Sequence, residues 1–353
     1  MATTLVTGGC GFIGSHFVRY LLQRYPDDRV VNFDALTYAG NPENLRDVEE
    51  HFADRYRFIL GDIADSAAVM KALHEERPQL VANLAAESHV DRSIHQPRLF
   101  LHTNVLGVST LLDAARECGV SRLLHVSTDE VYGVAEGERE FREEDALMPR
   151  SPYAASKAGG DLLVGAYHET YGTAVMTTRG SNAYGPSQHP EKFLPVIITR
   201  LMEGAKTPVY PPGTQVREWT HVEDHVSALD LVLRKGEAGG IYNFGSGERR
   251  QNLEMVRAIL PLFLRGEDAI EFVDARPGHD ARYALDSAKI RKLGWEPRRR
   301  LQEALPELVN WYREHESWWR PLKDSRDYQD HAMRHYGNSA LKRDLSGEGR
   351  SVA

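Results

Sequence analysis

The feature that most constrains this chain is an alternation of short apolar segments and helix-length segments through its first 180 residues. Six segments are apolar, often β-branched, and ended by Gly, Asp or Ser, as strands usually are. They read TTLVTG, VVNFD, YRFILGD, LVANLAA, RLLHVST and AVMTTRG. Helix-length stretches such as FIGSHFVRYLLQRY lie between them. A repeated strand, helix, strand order predicts an α/β fold with a doubly wound parallel sheet and right-handed crossovers.

The second half of the chain changes character after residue 180. Pro and Gly become frequent in segments such as YGPSQHPEKFLP, while helical patterns continue in VEDHVSALDLVLRK and LQEALPELVNWYREH. These pieces predict a smaller mixed α/β substrate lobe over residues 181–322, from which helices can return to the domain of residues 1–180. The chain then turns polar, and we expect residues 323–353 to form a loosely held C-terminal tail.

Composition argues against several classes of protein. The 353 residues are 41% hydrophobic and 27% charged, as in ordinary globular proteins. No apolar run approaches the roughly 20 residues of a membrane span, and the start lacks a signal-peptide pattern, so we expect a cytoplasmic protein. Cys10 and Cys118 lack metal-ligand spacing, so neither a disulfide nor a metal site is predicted. The net charge of −8 disfavours nucleic-acid binding. The basic segment 291–300 is therefore interpreted as a solvated face.

A glycine-rich turn follows the first predicted strand. Gly8, Gly11 and Gly14 stand in TGGCGFIGSHF, where a helix begins. Such glycines allow a tight turn and the close approach of a pyrophosphate, whose charge meets the helix N-terminus. A structural turn is the alternative, but the flanking strand and helix favour dinucleotide binding. The fold predicted for residues 1–180 is therefore Rossmann-type.

Two acidic residues follow neighbouring strands in this half. Asp34 ends the second strand, twenty residues after Gly14, and suits the free ribose hydroxyls of NAD better than the extra phosphate of NADP. Asp62 follows the third strand in LGDI and has two interpretations. It could accept a hydrogen bond from the adenine amino group, or it could be the N-cap of the next helix.

Tyr153 and Lys157 are four residues apart in SPYAASKAGGDLL. Ser151 suits an N-cap and Pro152 the first helical position, so the two side chains fall on one face of a helix. We expect the Lys157 ammonium to lower the pKa of the Tyr153 phenol, which could then take a proton from a sugar hydroxyl as hydride leaves. The alternative is an ordinary helix with a packed tyrosine and a solvated lysine.

These motifs occur in a series that resembles the extended short-chain dehydrogenase/reductases acting on nucleotide sugars. The series covers residues 3–322 and is far more specific than any single motif. Its members, in order, are TGGCGFIGSHF, NLAAESHVDRSI, HVSTDEVYG, SPYAASKAGGD, SNAYGP, REWTHVEDH and RPGHDARY.

Within that family, Thr128-Asp129-Glu130 is similar to the signature of the 4,6-dehydratases. The resemblance implies oxidation of sugar carbon 4 by NAD, elimination of water across carbons 5 and 6, and hydride return to carbon 6. Glu130 would remove the carbon 5 proton, a protonated Asp129 would protonate the departing 6-hydroxyl, and Thr128 would hydrogen-bond the 4-oxygen. Two adjacent acids with different roles need pKa values pushed apart. The alternative is that both are solvated turn residues.

The resemblance also implies the binding residues. Besides the glycines, the two acids and the Tyr153–Lys157 pair, the cofactor would be lined by Phe12, Ile13, Ile63, Leu84, Ala86 and Thr103. The nucleotide sugar would be held by Ser88, Thr128, Asn182, Lys192, Tyr210, Arg217, Asn243, Arg276, His279 and Tyr283. Taken singly, several of the nucleotide-sugar residues could instead form a surface ion pair or cap a helix, namely Ser88, Asn182, Lys192, Arg217, Arg276, Asn243, His279 and Tyr283.

Two positions depart from the family pattern. Ala183 stands where a second asparagine is usual, and Pro211-Pro212-Gly213 replaces a Gly-Asp-Gly-like turn. Proline stiffens that turn and removes backbone donors. Since Tyr210 beside it resembles the residue that stacks on the nucleobase, the base remains open. We expect dTDP-glucose as substrate. The alternative is UDP-glucose or another nucleotide sugar, with the same chemistry or a 5,6-elimination variant of it.

Other functions remain open on the sequence alone. The chain could be a nucleotide-sugar epimerase, or a non-catalytic NAD-binding sensor that kept the fold. We also expect a homodimer, because the helices 97–118 and 152–171 lie where relatives pair into a four-helix bundle. Their apolar positions include Leu101, Val105, Val108, Leu162, Leu163 and Ala166. The alternative is that these faces pack on the sheet of the same chain.

Overall fold

The computed structural model describes residues 2–275 and 278–336. The strands are β1 (Thr3–Thr7), β2 (Arg29–Asp34), β3 (Tyr56–Leu60), β4 (Leu80–Asn83), β5 (Arg122–Thr128), β6 (Val175–Gly180), β7 (Asn182–Tyr184), β8 (Thr207–Val209), β9 (Val216–His221), β10 (Ile241–Phe244), β11 (Arg249–Gln251) and β12 (Ile270–Phe272). The helices are α1 (Phe12–Arg24), α2 (Arg46–His51), α3 (Ser66–Glu76), α4 (Val90–His95), α5 (Pro97–Leu101), α6 (Val108–Glu117), α7 (Pro152–Tyr171), α8 (Phe193–Met202), α9 (Val222–Lys235), α10 (Asn252–Ile259), α11 (Ala288–Lys292), α12 (Leu301–Glu314), α13 (Glu316–Asp324) and α14 (Arg326–Tyr336).

A seven-stranded parallel sheet forms the centre of the molecule, in the order β3-β2-β1-β4-β5-β6-β10. The six strands predicted from the first 180 residues are all present. The seventh strand, β10, comes from the second half of the chain and pairs with β6. Its four residues carry too weak a pattern to be recognised as a strand in sequence.

Helices cover both faces of the sheet, as the predicted alternation requires. Along β1, Val6 packs into a core with α1 and α9, and Leu5 packs into a core with α3, α6 and α7. Successive strand residues point to opposite faces, so one short strand contributes to both cores. Helix α9 therefore returns to the sheet from the second half of the chain.

A smaller lobe lies beside the sheet, built from β7, β9 and β11, from the β8–β12 pair, and from helices including α8, α10 and α12. It has its own core, in which large aromatic side chains fill much of the volume. Trp219, Tyr312 and Trp319 are among them, each at most 5% exposed. This lobe stands over the carboxyl ends of β5 and β6, where it can close a crevice.

The C-terminal segment differs from the loosely held tail that its polarity suggested. Residues 326–336 form α14, and Tyr328, His331 and Ala332 on one side of it are buried. The spacing of those positions is helical, so a polar segment still has one face to bury. Lys323 is buried as well, and its Nζ lies 2.6 Å from a carboxylate oxygen of Glu203. Residues 337–353 lie outside the described residues.

The two helices expected to pair between subunits lie side by side in one subunit. The helix expected over residues 97–118 is built from α5, a π-helical stretch (His102–Gly107) and α6. It packs on α7, which is the second of the two expected helices. Leu101 and Leu162 are 53% and 66% exposed, whereas Val108 is buried against the sheet, which removes it from the expected pairing face. Within the described ranges, none of the helices has the length and apolar character needed to cross a bilayer.

Candidate active site

A cavity of about 440 Å³ opens at the carboxyl ends of the parallel strands. Residues that follow β1, β2, β3, β4, β5 and β6 line it from the sheet side, and residues of the smaller lobe line the other side. This crevice outside the carboxyl ends of the strands is where doubly wound α/β proteins bind their ligands. The parallel topology therefore brings motifs from distant parts of the sequence to one place.

Two of the three glycines of the turn are packed so closely that no side chain fits there. Gly8 has φ +70°, and a Cβ there would lie 2.6 Å from the backbone nitrogen of Ala85. A Cβ on Gly14 would lie 2.1 Å from the Gly8 carbonyl oxygen. Gly11 precedes α1, whose first N–H groups have no side-chain cap. The turn therefore offers free backbone donors to an anionic ligand, as the pyrophosphate of a dinucleotide requires.

Asp34 lies at the end of β2 and lines the same cavity. Its two carboxylate oxygens each accept a backbone hydrogen bond, one from Cys10 and one from Leu36, both at 2.8 Å. Burial raises the pKa of Asp34, and these two donors oppose that shift. The carboxylate is thus held in one orientation at the position expected for a ribose contact.

Asp62 also lines the cavity, but it is not a helix cap. The N-cap of α3 is Asp65, whose side chain accepts from the backbone of Ala67 and Ala68. Asp62 instead accepts from Ala64 at 2.8 Å, and its other oxygen lies 3.0 Å from His102 Nε2. The N-cap interpretation of Asp62 is therefore wrong. The cavity is also lined by all the other residues expected around the cofactor. These are Phe12, Ile13, Ile63, Leu84, Ala86 and Thr103.

The first turn of α7 places Tyr153 against the cavity. The Ser151 hydroxyl caps the helix by accepting from Ala154, and Pro152 occupies the first helical position, as predicted. Tyr153 is 8% exposed. Burial and the Glu130 carboxyl raise its pKa, whereas a hydrogen bond with the Thr128 side chain lowers it.

Lys157 is directed to the backbone, and its effect on the Tyr153 pKa stays a prediction. Its Nζ donates to the Val126 carbonyl at 2.6 Å, which commits the ammonium to the backbone of β5. Burial lowers the pKa of Lys157 to about 8, and the Asp161 carboxylate opposes that shift. Asp161 in turn accepts from Arg179 Nε at 2.8 Å. Lys157 is therefore a buried cation held behind the cavity rather than in its wall.

Thr128, Asp129 and Glu130 form the end of β5 and the single helical turn after it, and all three line the cavity beside Tyr153. Asp129 is 2% exposed, and its Oδ1 accepts from the Thr128 hydroxyl at 3.1 Å. Burial and the neighbouring Glu130 carboxyl raise the pKa of Asp129 to about 8. Asp129 is therefore not a solvated turn residue, and the alternative interpretation is wrong for this acid.

Glu130 faces the smaller lobe. Its Oε2 lies 3.5 Å from the Tyr283 hydroxyl, which also donates to Asp280 at 2.7 Å. Arg217 lies over the Tyr283 ring, with its guanidinium carbon 4.3 Å from the ring centroid. Residues of the smaller lobe therefore lie next to the acids at the end of β5.

The predicted substrate residues lie mostly together. Ser88, Asn182, Lys192, Tyr210, Arg217, His279 and Tyr283 line the cavity. Lys192 Nζ donates to the Ser88 carbonyl at 2.9 Å, which joins the two motifs that supply them. The side-chain oxygen of Asn182 is buried without a hydrogen-bond partner among the described residues, so it is available to a ligand.

One of the predicted substrate residues is not part of this wall. Asn243 is fully buried in β10, where its side chain accepts from Tyr132 at 2.8 Å and donates to the Phe141 carbonyl at 2.9 Å. It therefore holds the sheet to a neighbouring loop instead of facing a nucleotide. Arg276 lies outside the described residues. Ala183 lines the cavity where the absent amide would stand.

Sequence reasoning missed several polar residues around the cavity. Glu87 and Glu191 are buried in its wall. Asn104 lies in the π-helical stretch and connects the Glu87 backbone to Ser156 of α7. Its side chain accepts from the Glu87 N–H and donates to the Glu87 carbonyl and to the Ser156 hydroxyl. A π-helical insertion within a helix is often found at functional sites, but it has no clear signature in sequence.

Comparison with known proteins places this site in a family. The family model described as GDP-mannose 4,6 dehydratase matches residues 5–308. A relative from Streptomyces griseus, dTDP-glucose 4,6-dehydratase, is 49% identical over 90% of this chain and 96% of its own length. Another, the low-salt glycan biosynthesis protein Agl12 of Haloferax volcanii, is 50% identical over 87% of this chain and 97% of its own length.

Solved structures agree with these relatives. The crystal structure of DesIV from Streptomyces venezuelae, a dTDP-glucose 4,6-dehydratase with NAD bound, is 48% identical. It superposes with a TM-score of 0.88 and covers 91% of this chain and all of that one. The glycine turn and Asp34 fit the same cofactor here.

Proposed function

Because this chain belongs to the GDP-mannose 4,6 dehydratase family, we propose that its substrate is dTDP-glucose and its product dTDP-4-keto-6-deoxyglucose. The chain is an NAD-dependent nucleotide-sugar 4,6-dehydratase, and the identity of the sugar nucleotide and the roles of the residues are our proposal. The observation that carries it is the pair of carboxyl groups, Asp129 and Glu130, enclosed beside Tyr153 in one cavity. One acid of that pair keeps its proton at neutral pH, since its pKa is about 8.

Tyr153 and Thr128 act in the oxidation of carbon 4. NAD, when bound, accepts a hydride from carbon 4, later returns it to carbon 6, and brings the positive charge of its nicotinamide ring to the site. Tyr153 removes the proton of the 4-hydroxyl, and the Thr128 hydroxyl, which lines the same cavity, steadies the oxygen of the resulting ketone. Lys157 stabilises the phenolate as a buried positive charge rather than by direct contact.

Glu130 and Asp129 act in the elimination. The carbon 4 ketone acidifies the hydrogen on carbon 5, and Glu130 takes it as a proton. Asp129 gives its own proton to the 6-hydroxyl, which leaves as water while the bond between carbons 5 and 6 becomes double. Hydride return to carbon 6 and a proton to carbon 5 complete the 4-keto-6-deoxy sugar. The two acids can act in opposite senses because burial keeps Asp129 protonated.

The smaller lobe binds the nucleotide diphosphate. Arg217 and Lys192 are cations in the cavity wall, suited to the two phosphates. Tyr210 packs edge-on against His279, with their ring centroids 5.6 Å apart, and this pair offers an aromatic surface to the base. Thymine is favoured as that base by the relatives, several of which are named for dTDP-glucose.

Incubation of the purified chain with single nucleotide sugars tests the proposal. We expect dTDP-glucose to lose one water and give a 4-keto-6-deoxy product by mass, without net accumulation of NADH, and Tyr153→Phe to give none. UDP-glucose and GDP-mannose are the comparison substrates, and faster turnover of either would contradict the choice of base. A product of unchanged mass would indicate an epimerase. If the wild type converted none of these nucleotide sugars, the alternative of a non-catalytic NAD-binding sensor would be favoured.

We further propose a homodimer and a cytoplasmic location. The dimer would bury the exposed apolar side chains of the two neighbouring helices, including Leu101, Leu106 and Leu162, which are each more than half exposed in one subunit. A reaction that uses NAD and a nucleotide-activated sugar is expected in the cytoplasm, where both are made.

A further inference from the structure

A buried cluster of two histidines and an aspartate joins the start of α4 to the C-terminal helix. His89 and Asp91 belong to the ESHVDRSI motif, whose other role is to supply Ser88, and His331 lies on α14. One potential ligand atom from each of the three residues lies within 4.8 Å of the others. The rings of His89 and His331 meet edge-to-face, with centroids 4.7 Å apart. The proposed dehydration chemistry uses none of these three side chains.

Each imidazole presents a ring nitrogen that lacks a hydrogen-bond partner among the described residues. These atoms are Nδ1 of His89 and Nε2 of His331, in side chains that are at least nine-tenths buried. Buried polar atoms in folded proteins are almost always paired, so two orphaned nitrogens in one cluster indicate a ligand.

The charges around the cluster suit a cation. Asp91 contributes a carboxylate, whose Oδ2 accepts from the Tyr210 hydroxyl at 3.2 Å and lies 3.9 Å from His335 Nδ1. The neighbouring guanidinium of Arg92 is committed to two carboxylates, at 2.9 Å from Glu191 and 2.6 Å from Asp327. Its positive charge is therefore compensated.

A route to the cluster also exists. His331 lines a second cavity, of about 250 Å³, together with Arg92, His95 and His335 between α4 and α14. His89 and Asp91 line the larger cavity, so the cluster lies between the two cavities and can be reached by an ion from either side. A plausible metal site needs such an entry path as well as its ligands.

We propose that His89, Asp91 and His331 bind one divalent cation of the zinc class, which fastens α14 to α4. Two imidazoles and one carboxylate favour zinc over magnesium or calcium, which prefer oxygen ligands. Zinc bonds of about 2.0–2.2 Å need the ligand atoms closer than they now lie, so the side chains move inward on binding. Because Asp91 also holds the Tyr210 hydroxyl, the ion would steady the aromatic wall of the cavity.

Cobalt binding to the untagged, full-length chain tests the site. After dialysis against a chelator, the wild type is titrated with Co²⁺, and we expect one ion per chain with a visible absorption band that Zn²⁺ abolishes. His331→Gln should weaken binding at least tenfold. The matched control is His51→Gln, an exposed histidine on α2, which should bind like the wild type.

Thermal unfolding provides a second reading of the same site. Zinc should raise the Tm of the wild type and of the His51→Gln control but not that of His331→Gln. Absence of the band in the wild type, or equal cobalt binding by all three proteins, would overturn the proposal. Turnover of dTDP-glucose is measured on the same samples, so a chain that binds cobalt but converts no sugar contradicts only the proposed function.

Discussion

The Thr128 hydroxyl donates to one carboxylate oxygen of Asp129 at 3.1 Å and leaves the other, Oδ2, without a partner among the described residues. The second oxygen is therefore where the proton of Asp129 can be carried and from which it can be delivered. The same threonine hydroxyl accepts from the Glu130 backbone at 3.3 Å. One residue thus holds the Asp129 carboxyl and the backbone of Glu130.

The proton of Asp129 should set the upper pH limit of the elimination. Its pKa of about 8 means that the carboxyl is protonated below pH 8 and loses its proton above it. We expect elimination to slow as pH rises through about 8. Asp129→Asn keeps the size but cannot give a proton, so its elimination rate should fall by about 10²–10⁴-fold and lose this pH dependence. A stopped-flow record of NADH formation and decay measures the step, and an unchanged profile in the variant would exclude the role.

The same carboxyl should make the fold less stable as pH rises. In the folded chain Asp129 keeps a proton that the unfolded chain releases above about pH 4, so unfolding becomes easier from pH 4 to about 8. Asp129→Asn removes this contribution. We expect the variant to gain stability relative to the wild type between pH 5 and pH 8 in urea unfolding. If the difference in unfolding free energy between the variant and the wild type became smaller from pH 5 to pH 8, the raised pKa of Asp129 would be contradicted.

Glu130→Gln should separate oxidation from elimination. The amide cannot accept the carbon 5 proton, while Tyr153 and Thr128 still permit oxidation of carbon 4. We expect NADH to appear and persist, and solvent deuterium to be excluded from carbon 5, with product formation down by about 10²–10⁴-fold. The control is Glu144→Gln, an exposed acid on the loop before α7. Normal deuterium incorporation in the Glu130 variant would assign the base elsewhere.

Gly14→Ala should abolish retention of NAD. The added methyl would lie 2.1 Å from the Gly8 carbonyl oxygen and would force the turn open. NAD released from the purified, heat-denatured protein measures this effect. Gly266→Ala is a control, because its Cβ would meet only the end of the Asp268 side chain, at 3.1 Å, far from the turn. Equal NAD content in both variants would show that the turn tolerates a side chain.

Leu162→Glu should convert the proposed dimer into monomers. Leu162 is 66% exposed on α7, and a carboxylate there would be buried against its counterpart in a bundle. Light scattering should show half the mass of the wild type. Leu264→Glu changes a leucine that is 96% exposed elsewhere on the surface, and it should leave the mass unchanged. A monomeric mass for the wild type would contradict the proposed homodimer.

Much of the central fold could be predicted because its signals are local. Apolar β-branched runs, helical spacing and the glycine turn are properties of neighbouring residues, and they sufficed for six strands and for the position of Asp34. Parallel topology then requires that motifs following different strands meet at one edge. The sequence therefore predicts that Asp129 and Tyr153 lie close together.

Other features depend on contacts between residues far apart in sequence. Asn243 was expected to contact the nucleotide, yet its side chain is buried in the sheet and donates to the Phe141 carbonyl. Asp62 was a candidate N-cap of α3, yet Asp65 caps that helix. The direction of Lys157 toward a carbonyl also depends on how α7 packs on β5.

The sequence by itself determined the class of fold, the cofactor and the chemistry, since these rest on short motifs of fixed spacing. The tertiary structure alone decided what the C-terminal segment does. It places His331 against His89, 242 positions earlier in the chain, at 4.7 Å between ring centroids. No local pattern encodes such a pair, because a buried cluster forms from whichever side chains two packed helices bring together.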